Sequence, residues 1–215
     1  MDTLNGVMDS AGFDQWAMDY DASVERCERD DAYPFAGYER ILDAILRRLE
    51  EAGASTVLDV GFGTGVLAAR CCQRGMAVWG QDFSARMLAA AQEKMPGAHL
   101  YQGDFSLGLV PQLRERAYDA IIATYSLHHL DGLRQLSLIQ TLLGLLNPGG
   151  RLYIGDVAFE TRAGLNACRA RCGDEWDDSE CYFVFQELRA ALEPLRAQCA
   201  FAPFSACSGL IEIWR

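Results

Sequence analysis

The sequence predicts an α/β fold in which a doubly wound, mostly parallel sheet carries helices on both faces. Short apolar runs of strand length alternate with helical segments, and the connections between them are short. Such alternation favours right-handed β-α-β units and therefore parallel strands. Two consecutive strand-like segments near the C-terminus, separated by a short turn, indicate that the sheet ends with an antiparallel strand.

The helices are predicted from apolar spacing and from the residues that begin or end them. Residues 38–51 repeat apolar side chains along one face, and Gly53 ends this helix. Ser84 is a typical N-cap for a helix that runs to Lys94, beyond which Pro96 and Gly97 stop it. The other predicted helices are 66–73, 133–146, 159–171 and 183–192.

The strands are predicted from short apolar runs bounded by turn residues. Residues 118–124 are apolar on both faces, as expected of a buried parallel strand. The other predicted strands are 56–60, 76–80, 98–101, 151–155, 197–204 and 209–214. Residues 174–180, which are rich in acids, are predicted to be a solvated loop.

The composition is that of one ordinary globular domain. The chain has 215 residues, of which 50% are hydrophobic and 23% are charged, and domains usually contain about 100–200 residues. Thirty acidic residues against nineteen basic ones give a net charge of −11. Because nucleic acids and anionic membranes attract clusters of Lys and Arg, we expect neither as a partner.

The N-terminus lacks the basic and apolar regions of a secretory signal, and no apolar stretch approaches the about 18 residues of a membrane span. We therefore expect a cytoplasmic protein whose eight cysteines are reduced. Cys168, Cys172 and Cys181 come nearest to a metal-binding pattern. The more common interpretation of such residues is that they are small, buried and apolar.

A glycine-rich loop follows the first predicted strand and precedes a helix. Gly61, Gly63 and Gly65 alternate there, and Asp59 stands two residues before them. Glycines let the chain turn tightly and let a ligand lie against the backbone, next to the free amides of a helix N-terminus. The pattern is not that of a dinucleotide-binding loop, because Val66 occupies the position of the third glycine. A nicotinamide-dependent dehydrogenase is therefore disfavoured.

Two further acids follow the next two strands, at the sheet edge where ligands bind. Asp82 is placed to accept the hydroxyls of a ribose, although an acid in a solvated loop is the alternative. Asp104, between Gly103 and Phe105, is placed to accept a hydrogen bond from an adenine amino group. The alternative is an Asx turn followed by a core phenylalanine.

These motifs, in this order, resemble those of the class I S-adenosylmethionine (SAM) dependent methyltransferases. The resemblance covers residues 57–156: DVGFGTG, then GQDFS, GDF, YDAIIATYSLHHL and LLNPGGRLYIGD. Phe13, Trp16, Tyr20 and Asp21 extend it to the small YrrT-like bacterial proteins, which carry a methyltransferase type 11/25 domain and have no assigned function.

The resemblance implies a Rossmann-like sheet of seven strands with the last one antiparallel, in a single domain. Residues 1–37 would be an N-terminal lid, residues 38–156 the SAM-binding core, and residues 157–215 helices and a strand hairpin that complete the sheet. It also implies SAM as cofactor and S-adenosylhomocysteine (SAH) as product. Because no domain is added to this core, we expect a small-molecule acceptor.

The resemblance also implies roles for individual residues. The three glycines would lie under the methionine part of SAM, Asp59 would orient their loop, Asp82 would hold the ribose and Asp104 the adenine. Tyr20 would cover the sulfonium with its ring, although packing of the lid is an equally good explanation. The implied cofactor-binding residues are Asp59, Gly61, Phe62, Gly63, Gly65, Asp82, Phe83, Met87, Gly103, Asp104, Phe105, Thr124 and Tyr20.

Three positions invite a second interpretation. Met87 has the helical spacing of a core residue. Phe62 stands where the family often has a smaller residue, which would narrow the pocket. Gln81 replaces a usual apolar residue before the ribose acid. The residues at positions 62 and 81 thus depart from the family pattern, but neither departure removes a group that SAM binding requires.

The expected reaction is in-line displacement at the methyl group, with positioning as the main catalytic effect. If a side chain acts as general base, His128 is the candidate, with Tyr125 beside the reacting groups and His129 next in sequence. The alternative is that this histidine pair is structural. A second functional hypothesis is a module that binds SAM or SAH without turnover.

Overall fold

The strands of the computed structural model, which describes residues 32–215, form one mixed sheet. They are β1 (Thr56–Val60), β2 (Ala77–Asp82), β3 (His99–Gln102), β4 (Tyr118–Thr124), β5 (Leu146–Phe159), β6 (Phe183–Val184), β7 (Gln198–Pro203) and β8 (Ser208–Trp214). Their order is β3-β2-β1-β4-β5-β8-β7, and β6 pairs with the end of β5. Among these strands β8 runs antiparallel to both of its neighbours, β5 and β7, and the other pairs are parallel. The predicted sheet with a final antiparallel strand is confirmed, and the short β6 is added to it.

Helices cover both faces of the sheet, as predicted. They are α1 (Tyr38–Glu51), α2 (Val66–Gln73), α3 (Ala85–Lys94), α4 (Pro111–Arg114), α5 (Gly132–Leu143), α6 (Arg162–Cys172) and α7 (Phe185–Leu192). Alternate strand residues point to opposite faces, so the core divides into two clusters. One cluster packs β-strands against α1, α2, α3 and α6, and the other packs them against α4, α5 and α7. None of the helices between residues 32 and 215 has the length and apolar character needed to cross a membrane.

The start of α3 follows the predicted capping chemistry. The hydroxyl of Ser84 accepts a hydrogen bond from the amide of Met87 and so satisfies one of the free donors at the helix N-terminus. Tyr20 and Trp16, predicted for the N-terminal lid, lie outside the described residues.

β5 is much longer than its predicted span of 151–155. It begins at Leu146, where the sequence predicted the end of a helix, and it pairs with Tyr118 there before a register shift. At its other end Val157 pairs with Ser208 of β8, so the strand continues past Asp156. Pairing with neighbours that are distant in sequence extends this strand, and the next helix begins only at Arg162.

Asp119 joins the beginnings of β1 and β4. Its Oδ2 accepts hydrogen bonds from the amides and hydroxyls of Ser55 and Thr56, at 2.8–2.9 Å, and its Oδ1 accepts one from Asn147 at 2.8 Å. Burial alone would raise the pKa of Asp119, but the hydrogen bonds from Asn147, Ser55 and Thr56 lower it well below its usual range. This carboxylate therefore stabilises the sheet in its charged form.

Replacing Asp119 with alanine is expected to lower the free energy of unfolding by about 2–3 kcal/mol at pH 7, because several donors lose a charged acceptor. Since the pKa of Asp119 is lower in the folded protein, its contribution is present above pH 4 and is lost as the pH falls below that value. Urea denaturation of the wild type and of Asp119→Ala between pH 7 and pH 3 measures the difference in their free energies of unfolding at each pH. A difference that stays constant down to pH 3 would contradict the assignment.

Candidate active site

One cavity of about 290 Å³ opens where the carboxyl ends of β1, β2 and β4 meet. Most of the predicted site residues lie in its wall, namely Gly61, Phe62, Gly63, Asp82, Phe83, Met87, Phe105, Thr124, Tyr125 and His128. Four predicted residues are not part of the wall: Asp59, Gly65, Gly103 and Asp104. The cavity also takes in residues that the sequence did not single out, namely Tyr33 and Phe35 of the predicted lid and Glu175, Asp177 and Glu180 of the acidic loop.

The glycine loop places its three glycines in different environments. All three have positive φ, between 55° and 76°. A Cβ at Gly61 would lie 2.5 Å from the Cβ of Ser126, and one at Gly65 would lie 2.7 Å from Cε of Met95, whereas one at Gly63 would touch nothing. Gly65 therefore allows α2 to pack against α3, and Gly63 presents open backbone to the cavity.

Asp82 holds this loop in place. Its Oδ2 accepts a hydrogen bond from the amide of Gly63 at 2.8 Å, and its Oδ1 accepts one from the amide of Ser84 at 2.9 Å. The side chain is buried and lies in the cavity wall. A carboxylate oxygen can accept more than one hydrogen bond, which suits this group to the hydroxyls of a ligand.

Asp59 is fully enclosed at the end of β1. Its Oδ1 has no hydrogen-bond partner among residues 32–215. Burial, and then the nearby charge of Asp82, raise the pKa of Asp59 to about 8. The carboxyl is thus largely neutral at physiological pH.

Asp104 adopts the Asx turn that was the alternative to its adenine role. Its Oδ1 accepts a hydrogen bond from the amide of Ser106 at 2.8 Å, and the residue is exposed. Phe105 is buried and its ring reaches the cavity wall. Of the triplet 103–105, the phenylalanine is the residue that meets the cavity.

Gln81 has a structural role that sequence reasoning missed. It is fully buried, its Oε1 accepts a hydrogen bond from the amide of Val110 at 2.8 Å, and its Nε2 donates one to the carbonyl of Gly108 at 3.0 Å. These bonds fix the loop that carries Phe105. The signal in the sequence was a polar residue inside an otherwise apolar strand.

Phe62 fills space that a glycine on β2 leaves open. A Cβ at Gly80 would lie 2.7 Å from Cδ1 of Phe62, so the ring packs directly against the strand backbone. The same ring belongs to the core and forms part of the cavity wall.

Tyr125 stands at the end of β4 in a left-handed conformation, with φ of 49°. Its ring packs against Phe35 and Tyr38, with centroids 5.2 Å away in both cases. Burial, and then the charge of Asp156, raise the pKa of Tyr125 well above its usual value. The Ser208 hydroxyl is nearby, but among the described residues no group forms a well-aligned hydrogen bond with the phenol. Tyr125 is therefore neutral, and its hydroxyl is buried although the residue lines the cavity.

His128 lies between two carboxylates. Its Nδ1 is 2.5 Å from Oδ1 of Asp156, and its Nε2 is 3.4 Å from Oε1 of Glu180. Burial opposes its charged form, but Asp156 and Glu180 outweigh burial and raise the pKa of His128 to about 10. With both ring nitrogens facing acids, His128 is not placed to take a proton from an acceptor. The predicted role of general base is therefore not supported by this geometry.

The acidic loop is exposed at five of its seven positions, as predicted, whereas Trp176 and Glu180 are partly buried. The Tyr182 hydroxyl donates to Oε2 of Glu180 at 2.7 Å and also forms a hydrogen bond with the Tyr33 hydroxyl. The amide of Asp177 donates to the Tyr33 hydroxyl at 3.2 Å, and Trp176 stacks on the Tyr33 ring at 5.2 Å. The aromatic residues between the acids were the signal that sequence reasoning overlooked.

The cysteines do not form the metal pattern considered from the sequence. The sulfurs of Cys168 and Cys172 are 3.9 Å apart. In the part of the chain that the structure describes, Cys181 does not complete a group of metal ligands with them.

Comparison with known proteins identifies the family. The model of a methyltransferase domain family matches residues 57–150. An uncharacterized methyltransferase of Geobacillus kaustophilus is 37% identical over 187 residues, which are 84% of each chain. One from Alkaliphilus oremlandii is 30% identical over 149 residues, covering 69% of this chain and 67% of that relative.

Solved structures share the fold at low sequence identity. Magnesium protoporphyrin IX methyltransferase from Synechocystis, crystallised with SAH, has a TM-score of 0.70 at 20% identity and covers 96% of this chain and 100% of its own. The structure of a complex of DhpI with SAM and HEP has a TM-score of 0.70 at 20% identity, and the match covers 100% of this chain and 100% of that chain. The chain belongs to the class I SAM-dependent methyltransferases, enzymes that use SAM as the methyl donor.

Proposed function

We propose that this enzyme methylates a small-molecule acceptor that binds in the same cavity as SAM, beside Tyr125. The observation that carries the proposal is that one continuous cavity connects the glycine loop and Asp82 with an aromatic wall and with Glu180. A volume of about 290 Å³ is at the lower end of the range for small-molecule sites. Tyr33 and Phe35 close this space from the N-terminal side, which supports a lid function for the segment that precedes α1.

The residues at the glycine loop fit the cofactor. Gly63 has no atoms within contact distance of an added Cβ, so a ligand can approach its backbone. Asp82 lies in the wall with acceptor capacity suited to ribose hydroxyls, and Phe83 and Met87 provide apolar wall for the adenine ring. Asp59 stands behind the loop, close enough to Asp82 for the charge of one carboxyl to affect the other. In this proposal Phe105, not Asp104, meets the base.

Positioning is the main contribution of the chain to the reaction. When bound, SAM supplies an electrophilic methyl group on a sulfonium. The rings of Phe35, Tyr38 and Tyr125 pack together and exclude water from the space beside the loop. Alignment of the reactants lowers the barrier of such reactions by up to about 7–11 kcal/mol.

The cytoplasmic location of the enzyme stays a prediction from the sequence.

Calorimetric titration with SAM and SAH tests the cofactor site. Asp82→Ala is expected to weaken SAH binding by about 30–100-fold, because a charged acceptor is worth about 2–3 kcal/mol. Phe83→Ala is expected to weaken it by about tenfold without affecting the loop. Thermal unfolding of each variant shows whether the fold is retained.

The matched controls are Asp178→Ala and Leu107→Ala, which remove an exposed acid and an exposed apolar side chain. Both are expected to bind SAH as the wild type does. Equal affinity in the wild type, Asp82→Ala and Phe83→Ala would refute the proposed site. Transfer of labelled methyl from SAM into the protein or RNA fraction of a cell extract, and not into its small molecules, would refute the acceptor class.

A further inference from the structure

We propose that His128, His129 and Glu180 form a binding site for a divalent transition-metal ion in the cavity wall, next to Tyr125. One ligand atom from each of these residues lies within 4.8 Å of the others. All three residues line the cavity in which we place the acceptor. Two imidazole nitrogens and one carboxylate oxygen are a common ligand set for Zn²⁺ and related ions in enzymes.

The distances suit ligands around a metal better than hydrogen bonds. Oε1 of Glu180 is 3.4 Å from Nε2 of His128 and 3.4 Å from Nδ1 of His129. Hydrogen bonds of this kind are usually about 2.7–3.2 Å long. Ligands at about 2.0–2.1 Å from a tetrahedral Zn²⁺ are separated by about 3.3 Å. One carboxylate oxygen thus stands at ligand spacing from two imidazoles at once.

The surrounding hydrogen bonds orient two of the three ligands, His128 and Glu180. Asp156 is 2.5 Å from Nδ1 of His128, which leaves Nε2 directed towards Glu180. Tyr182 donates to Oε2 of Glu180 at 2.7 Å, which leaves Oε1 for the histidines. Carboxylates that accept from the second nitrogen of a metal-bound histidine are typical of such sites.

The charge of the cluster also favours a cation. Asp156 and Glu180 bring two negative charges to the buried His128 and the partly buried His129. A protonated His128 offsets one of these charges, whereas a divalent ion bound by neutral imidazoles would balance both. Glu175 and Asp177 line the same cavity and add further negative charge. An anionic ligand would be repelled from this end of the cavity.

A metal here would select the acceptor. With three ligands from the chain, a divalent ion keeps coordination positions for an oxygen donor of the acceptor, and it makes a bound hydroxyl easier to deprotonate. This consequence rests on the proposed function, whereas metal binding itself does not depend on it.

Titration of the chelator-stripped full chain with Co²⁺, followed by visible absorption and by competition with Zn²⁺, tests the site. We expect one Co²⁺ per chain with the bands of nitrogen and oxygen ligands. His129→Ala and Glu180→Gln are expected to weaken binding by about 100-fold, because each removes a ligand. The matched control is His99→Ala, because His99 is exposed on β3, where it stacks on Trp79. Zn²⁺ is also expected to raise the melting temperature of the wild type, but not that of Glu180→Gln.

Three outcomes would overturn the site: no stoichiometric Co²⁺ binding, undiminished binding by His129→Ala and Glu180→Gln, or the strong absorption of a cobalt–thiolate complex. The first would mean that His128 simply bridges two acids. SAH titration of the wild type separates the proposals. SAH binding without Co²⁺ binding removes only the metal site, whereas Co²⁺ binding without SAH binding removes only the proposed function.

Discussion

Replacing Gly61 with alanine is expected to lower the free energy of unfolding by about 3 kcal/mol and to abolish tight SAM binding. The new Cβ would lie 2.5 Å from Cβ of Ser126 and 3.2 Å from Cε1 of Phe105. Ser126 cannot move away freely, because its hydroxyl donates to the carbonyl of Val60 at 2.8 Å. The φ of 75° adds about 1–2 kcal/mol of backbone strain, and overpacking adds about 1–3 kcal/mol.

Gly63→Ala is the matched control for stability. Its φ of 55° is also positive, but its Cβ would meet nothing, so only about 1–2 kcal/mol of strain is expected. Adding Ser126→Gly to Gly61→Ala is expected to restore part of the lost stability, since it removes the closest clash. Urea denaturation measures the free energy of unfolding of the wild type, the two single variants and the double variant. Equal stability of the Gly61 and Gly63 variants would show that contact with Ser126 does not restrict position 61.

Replacing Asp59 with asparagine is expected to stabilise the protein relative to the wild type by an amount that grows with pH. The pKa of Asp59 is about 8 in the folded protein and about 3.9 in an unfolded chain. Because the folded-state pKa is raised, the wild type loses stability as the pH rises from about 4 to about 8, by at most about 1.4 kcal/mol per pH unit. Asparagine does not titrate, so it removes this dependence.

Urea denaturation at pH 5, 6, 7 and 8 gives the difference between Asp59→Asn and the wild type. Asp119→Asn is the matched control, because the pKa of Asp119 is lowered and its charge does not change over this range. The difference for Asp119→Asn is expected to be flat, and that for Asp59→Asn is expected to rise over the window. A flat Asp59 difference would mean that this carboxyl is already charged at pH 5 and is solvated or paired.

The sequence was sufficient where a feature depends on neighbours in the chain. Apolar periodicity located the sheet and its helices, and the glycine loop was found because a tight turn before a helix requires glycine. The position of Asp82 at the cavity was predicted because the carboxyl ends of strands in a doubly wound sheet lie at the edge where ligands bind. The full length of β5 was not predicted, because its two ends pair with Tyr118 and Ser208, which are distant in sequence.

The chemistry of the site depended on the tertiary structure. His128 stood out in the sequence as a candidate base, but its surroundings are set by Asp156 and Glu180, which the fold brings from other segments. Glu180 in turn is held by Tyr182, whose hydroxyl bonds with that of Tyr33, 149 residues away. The sequence by itself determined the sheet, its loop and the family, because those depend on local pattern. Only the fold decided which groups face His128, because the charge of a side chain depends on its neighbours in space.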